Sequence, residues 1–123
     1  MSRNILILIA TTFSLALAGA AHADAAKGKE VFVKTNCNSC HGMTGKGDGP
    51  VAAALDPKPR DYTKGDFKFD ADGDGKAGTD ADISMVIKNG AAAYGGSAMM
   101  MPNPTLSDAD LALLVAYIRS LKQ

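Results

Sequence analysis

Two cysteines and a histidine stand within five consecutive residues, Cys37-Asn38-Ser39-Cys40-His41, and these are the only cysteines of the 123-residue chain. Two cysteines in an exported chain ordinarily form a disulfide. A thioredoxin-like redox pair is a second interpretation, but it requires a strand–helix–strand context that this sequence lacks. A zinc site is a third, and it requires four ligands. The histidine directly after the second cysteine favours a different chemistry.

The pattern matches the C-x-x-C-H motif of covalent haem attachment. In that chemistry two thiols reach the two vinyl groups on one edge of a porphyrin and form thioethers. The residue that follows must then present an imidazole nitrogen to the iron. We therefore predict one covalently bound haem c, attached through Cys37 and Cys40 and ligated by His41. Because the chain contains a single motif, arrangements with several haems are excluded.

The first 23 residues have the pattern of a signal peptide. A positive charge at Arg3 precedes the largely apolar run Ile5–Leu17, and Ala21-His22-Ala23 is a small-x-small cleavage site. An uncleaved membrane anchor is the alternative, although the run is short for a membrane span. We expect residues 1–23 to be removed and residues 24–123 to form one domain in the periplasm, without stable membrane insertion.

Charge and composition exclude one class of partner. The chain has 13 Lys and Arg against 13 Asp and Glu, and loss of the leader removes one basic residue, which leaves 12 against 13. No basic stripe is present and there is no Trp. The pattern is not that of a nucleic-acid-binding protein.

Hydrophobic periodicity and capping residues predict three helices and no strand. The first runs from about Ala25 to Lys34. The second starts at Thr79, whose spacing to Asp82 is that of a capping box with Asp in place of Glu, and ends before Gly90. The third is capped by Ser107 and carries one apolar stripe, formed by Leu111, Leu114, Val115, Ile118 and Leu121. The fold class is therefore predicted to be all-α, with long loops around a central prosthetic group.

The second axial ligand of the iron is predicted by elimination. His22 leaves with the signal peptide, so His41 is the only histidine of the mature chain and the opposite ligand must be Met, a weaker group or none. Met99, Met100 and Met101 precede Pro102 in a loop, whereas Met used as core filling lies more often on an apolar face. Pro102 favours an extended backbone at Met101. Met101 is the preferred ligand, Met100 is the alternative, and Met99 is the least favoured.

An acidic segment follows the central loop. Asp70-x-Asp72-x-Asp74-Gly75 matches the opening of an EF-hand calcium loop. The twelfth position of such a loop carries a bidentate Glu, but here it is Ala81. A calcium site at Asp70, Asp72 and Asp74 is one interpretation, and a solvated acidic loop is the other.

These features together resemble the small bacterial monohaem class I cytochromes c, soluble proteins with His and Met as iron ligands, over nearly the whole mature chain. The residues that carry the resemblance are Gly28, Phe32, the segment 37–42, Gly49-Pro50, Met101-Pro102 and the segments 106–108 and 114–118. The resemblance implies the class I cytochrome c fold, with three main helices and loops around one haem. It also implies an electron carrier and not an enzyme.

The resemblance assigns roles to further residues. It implies that Gly28 and Phe32 meet Tyr117 where the first and last helices cross, and that the carbonyl of Pro50 accepts the N–H of His41. It makes Arg60 a candidate partner of a haem propionate, with a solvated surface charge as the alternative.

The function implied is that of a monomeric carrier that docks transiently on a redox protein donor and acceptor. One alternative is a five-coordinate haem protein that binds small ligands or reduces peroxide. Another is an electron-transfer subunit of a larger dehydrogenase or oxidase complex.

Overall fold

A computed structural model describes the backbone of residues 13–123 and the side chains from Asp24 onward. Residues 1–12 of the predicted signal peptide lie outside the described residues. Four helices follow in chain order, α1 (Phe13–Lys34), α2 (Asn38–His41), α3 (Asp80–Asn89) and α4 (Asp108–Ser120), with short 3₁₀ turns at Ala52–Ala54, Tyr62–Lys64 and Ala91–Tyr94. Residues 13–123 contain no strand, which confirms the all-α prediction.

The first helix begins earlier than the sequence predicts. It starts at Phe13 and not near Ala25, and it continues without a break through the predicted cleavage point after Ala23. Ala and Leu predominate in this added segment, and both residues have high helix propensity. None of the described helices is long and apolar enough to cross a membrane.

The predicted starts of the other two helices, α3 and α4, are confirmed in detail. The Thr79 side chain accepts the amide of Asp82 while the Asp82 side chain accepts the amide of Thr79, which completes the capping box of α3. The Ser107 side chain likewise accepts the amide of Asp110 at the start of α4. Each cap satisfies amides that have no partner within their own helix.

The core lies where α1, α3 and α4 meet. Phe32, Leu114 and Ile118 are its most deeply buried apolar side chains, and Ile83 and Ile87 of α3 complete the cluster. Burial of each such side chain stabilises the folded chain by roughly 1.5–3 kcal/mol relative to an exposed position.

α1 and α4 approach each other closely where they cross. The rings of Phe32 and Tyr117 meet edge to face, with centroids 5.1 Å apart. A Cβ atom at Gly28 would overlap the carbonyl of Leu113 and would lie 2.8 Å from the Cβ of Tyr117. The predicted meeting of Gly28, Phe32 and Tyr117 is therefore confirmed, and it explains why glycine is used inside a helix despite its low helix propensity.

One carboxylate holds the acidic loop onto the start of α3. Asp82 is only 1% exposed. Its Oδ1 accepts the amides of Ala71 at 2.8 Å and Asp72 at 3.2 Å, and its Oδ2 accepts the amide of Thr79 at 3.0 Å. Burial opposes ionisation of this group, but these bonds outweigh it and hold the pKa of Asp82 below its ordinary value.

We expect Gly28→Ala to destabilise the protein by about 1–3 kcal/mol, because the added methyl group would force α1 away from the carbonyl of Leu113. Lys29→Ala, at the next and exposed position of α1, is the matched control and should change stability by less than about 0.5 kcal/mol. Denaturant unfolding of both variants measures the difference. Equal effects would contradict the close packing.

We expect Asp82→Asn to lower the melting temperature at neutral pH. We also expect the melting temperature of this variant to fall less steeply than that of the wild type as the pH is lowered. The native pKa lies below the unfolded one, so the stabilisation is present above about pH 4 and is lost as the pH falls through the native pKa. Melting temperatures measured across the acid range give the comparison. Asp56→Asn, at an exposed position, is the control. If the melting temperature of Asp82→Asn depends on pH as steeply as that of the wild type, this account is wrong.

Candidate haem site

The attachment motif continues directly from the end of α1. Asn36 adopts a left-handed conformation with φ of 62°, which turns the chain back on itself after the helix. The amide of Cys37 then donates to the carbonyl of Phe32 at 3.0 Å, and the amide of His41 donates to the carbonyl of Cys37 at 2.9 Å. The motif is therefore one helical turn, α2, fixed to a core residue. Because Cys37 and Cys40 are three residues apart, their side chains share one face of that turn.

Both cysteines are free thiols, and each is partly exposed. The Sγ of Cys37 lies 3.2 Å from the hydroxyl oxygen of Thr35. That hydroxyl already donates a hydrogen bond to the carbonyl of Val31 at 2.8 Å. The sulfur is therefore the donor in the contact with Thr35, which requires a protonated thiol. Burial raises the pKa of Cys37, in agreement with that state.

The orientation of His41 suits an iron ligand. The ring is buried, and its Nδ1 lies 3.1 Å from the carbonyl oxygen of Arg60. A carbonyl can only accept, so Nδ1 carries the proton. Burial lowers the pKa of His41, which keeps the ring neutral. The lone pair then lies on Nε2, the atom left for a metal, and the bond at the opposite nitrogen fixes this tautomer.

Tyr62 occupies the free nitrogen in this structure. Its hydroxyl lies 3.1 Å from Nε2 of His41, and the two rings stack with centroids 4.5 Å apart. Burial raises the pKa of Tyr62, so the hydroxyl is neutral and donates a hydrogen bond to Nε2. Sequence reasoning missed this residue. The available signal is an aromatic residue within the polar segment Arg60-Asp61-Tyr62, since such a residue is commonly buried.

The partner of His41 corrects one prediction. The bond implied for the carbonyl of Pro50 is made by the carbonyl of Arg60, and Pro50 is exposed. The backbone around Pro50 is used elsewhere, because the amides of Gly47, Gly49 and Val51 donate to carbonyls of His41, Cys40 and Ser39. These bonds satisfy the terminal carbonyls of α2. The carbonyl that accepts the His41 N–H comes instead from the later segment around Arg60.

The side chain of Arg60 is paired with protein. Its guanidinium donates to the carbonyl of Asp66 and forms an ion pair with the Asp66 carboxylate at 3.3 Å. The side chain is about one-third exposed. Its interaction with a haem propionate stays a prediction, whereas its carbonyl has a defined role at His41.

The three consecutive methionines differ in burial. Met100 is partly buried and packs against the core, whereas Met99 is 63% exposed and Met101 is 71% exposed. Their backbone is held in place by the amide of Ala91, which donates to the carbonyl of Met100 at 3.2 Å. The choice of Met101 over Met100 as iron ligand stays a prediction.

The structure brings the predicted calcium residues together. Oxygens of Asp70, Asp72, Asp74 and Asp82 lie within 4.8 Å of one another. Loss of hydration, followed by the side chain of Asp70 and the charges of Asp74 and Asp82, raises the pKa of Asp72. Asp82 was not predicted as part of this group. Its sequence signal is a carboxylate one position after the Ala81 that replaces the expected Glu.

The described residues fit a covalent haem. They provide two free thiols on one face of a turn and a neutral imidazole whose lone pair is on Nε2. The family model named cytochrome c matches residues 25–122 of the chain. The chain belongs to the cytochrome c family. Its fold is the class I cytochrome c fold, and the family implies a covalently bound haem c and electron transfer.

Comparison with solved structures gives this cytochrome a partial relative. It is similar to a chain of the reducing HAO-like protein complex of Kuenenia stuttgartiensis, with 35% sequence identity and a TM-score of 0.63. The match covers 77% of this cytochrome and 41% of that chain, so this cytochrome spans about two-fifths of that relative. A search of curated proteins finds no match.

We expect calcium to raise the melting temperature of this cytochrome if the acidic loop binds it, with half-saturation at roughly 0.1–1 mM because the loop lacks the bidentate Glu. Asp74→Asn should remove the response, since it neutralises one of the converging carboxylates. Magnesium at the same ionic strength is the control. A melting temperature that stays flat up to millimolar calcium would leave the solvated acidic loop as the correct interpretation.

Proposed function

We propose that this cytochrome is exported to the periplasm, where it carries single electrons between a donor and an acceptor protein through one haem c. The observation that carries the proposal is the state of His41. It is the only histidine of the mature chain, it follows both attachment cysteines directly, and its Nδ1 is tied to the carbonyl of Arg60. The chain therefore supplies one attachment site and one oriented imidazole.

We assign the opposite ligand to the methionine loop, with Met101 preferred and Met100 as the alternative. When bound, the haem supplies an iron that alternates between the ferric and ferrous states. A methionine ligand favours a higher reduction potential than a second histidine would. His41 and a methionine would together complete the coordination of the iron, which would leave no open position for a substrate. We therefore infer that the protein is not an enzyme.

The chain's own residues limit movement around the iron. His41 is fixed through its Nδ1 by the carbonyl of Arg60, and its Nε2 would hold the iron. The core contact of Cys37 with α1 holds one attachment point against the helix. Rigid placement of the ligands favours rapid electron transfer, since little geometry has to change with the oxidation state.

The partners are inferred to be redox proteins that form small, short-lived interfaces. The chain has a nearly balanced charge, which does not favour nucleic acid. We expect a monomer with no stable membrane insertion after removal of residues 1–23.

One observation favours a second candidate function. The similar chain from Kuenenia stuttgartiensis belongs to a reducing HAO-like protein complex. A stable electron-transfer subunit of a larger complex would use the same haem chemistry with a permanent partner. Size-exclusion chromatography of the protein purified from its native source separates the two, because a carrier elutes as a monomer and a subunit with its partner.

We expect Met101→Ala to abolish the weak red sulfur-to-iron charge-transfer band of the oxidised holoprotein and to lower its reduction potential, because the thioether ligand is lost. The visible spectrum and a redox titration measure both effects. Met99→Ala is the matched control from the same loop and should retain the band.

Other outcomes are equally informative. Loss of the band in Met100→Ala alone would move the ligand to Met100. A wild-type holoprotein with a high-spin spectrum and no band would contradict Met ligation and favour the five-coordinate alternative that binds small ligands or reduces peroxide.

A further inference from the structure

Asn103 joins the methionine loop to the end of α3. One N–H of its side-chain amide donates to the carbonyl of Met101 and the other donates to the carbonyl of Ile87, both at 3.2 Å. Its backbone amide also donates to the carbonyls of Ile87 at 3.2 Å and Lys88 at 3.1 Å. Both donors of the side chain are thus used, and they connect the backbone of a candidate iron ligand to Ile87, a buried residue of α3.

The backbone around Asn103 is unusually restricted. It lies between Pro102 and Pro104, whose rings fix their own φ angles. Met101 and Asn103 each precede a proline, and this position favours an extended backbone. The side chain of Asn103 is therefore held on a stiff segment, so its two hydrogen bonds require little further loss of conformational freedom.

The loop also contacts the end of α3 on the other side of Met101. Gly90, which follows α3, has φ of +84°, and a Cβ atom there would lie 3.1 Å from the carbonyl oxygen of Met100 and from Pro102. The amide of Ala91 donates to the same carbonyl at 3.2 Å. Met100 and Met101 are thus both attached through their carbonyls, and the attachment of Met101 depends on a side chain that can be replaced.

We propose that Asn103 is a positioning residue for the methionine ligand, which holds the backbone of Met101 against the end of α3 and so resists dissociation of the thioether from iron. The inference rests on the proposed function, because it requires a ligand from this loop. Asn103 contacts neither the iron nor the haem in this proposal. Its effect passes through the Met101 carbonyl and the stiff segment that follows.

The test uses the oxidised holoprotein and imidazole as a competing ligand. Loss of the charge-transfer band during an imidazole titration reports replacement of the methionine. In Asn103→Leu, which removes both donors at similar size, we expect imidazole to bind about fivefold more tightly, the factor that corresponds to ~1 kcal/mol for one hydrogen bond. Asn103→Asp removes the same donors and should give a shift in the same direction. Asn103→Ser keeps one donor and should fall between Asn103→Leu and the wild type.

Asn89→Asp is the matched control. Asn89 is exposed near the end of α3, and its side-chain amide donates to the Tyr94 hydroxyl at 2.7 Å without touching the methionine loop. Imidazole affinity in this variant should equal that of the wild type. Denaturant unfolding of all variants, measured in parallel, separates stability from ligand dissociation.

The outcomes distinguish the positioning role of Asn103 from the proposed function. Wild-type imidazole affinity in Asn103→Leu and Asn103→Asp, even with reduced stability, would overturn the positioning role and leave the proposed function intact. If the wild-type holoprotein lacks the band, Met ligation itself fails and the role of Asn103 falls with it. A variant that fails to fold is replaced by Asn103→Ser, whose unchanged affinity would also overturn the inference.

Discussion

The fold depends on the close approach of α1 and α4. Gly28 lets the Leu113 carbonyl and Tyr117 reach the backbone of α1, and Phe32 packs against the Tyr117 ring. The Tyr117 hydroxyl then donates to the carbonyl of Met43 at 2.9 Å, two residues after His41. One aromatic side chain therefore supports both the helix contact and the segment that follows the attachment motif. A displacement of α4 would be transmitted to the haem site through these two contacts.

Local chemistry explains which features could be predicted from the sequence. The caps at Thr79 and Ser107 depend on residues three positions apart, and the attachment motif depends on five consecutive residues, so both are visible without tertiary structure. The partner of His41 is different. Whether Pro50 or Arg60 supplies the carbonyl depends on how the intervening loop pairs with the end of α2, and the amides of Gly47 and Gly49 take part in that pairing. Such long-range backbone bonds leave no local pattern. The contacts of Tyr62 and Asn103 with the two ligand segments could not be predicted for the same reason.

Two different devices stabilise the loops of this small domain. The acidic loop is fastened by a buried carboxylate that accepts three backbone amides, whereas the methionine loop is fastened by an amide side chain that donates to two carbonyls. Both devices attach a loop to α3, one at its start and the other at its end. This short helix therefore organises most of the chain between the central loop and α4.

The two segments that would ligate the iron are attached to the ends of two different helices. His41 follows the end of α1, the methionine loop follows the end of α3, and both helices pack on α4. α4 carries none of the predicted iron ligands, yet it packs on both helices that these segments follow. As the common packing partner of α1 and α3, α4 therefore fixes how the two ligand segments are placed relative to each other. A change of side-chain volume at Leu114 or Val115, both buried on α4, would therefore shift the two ligand segments relative to each other, although neither residue belongs to them.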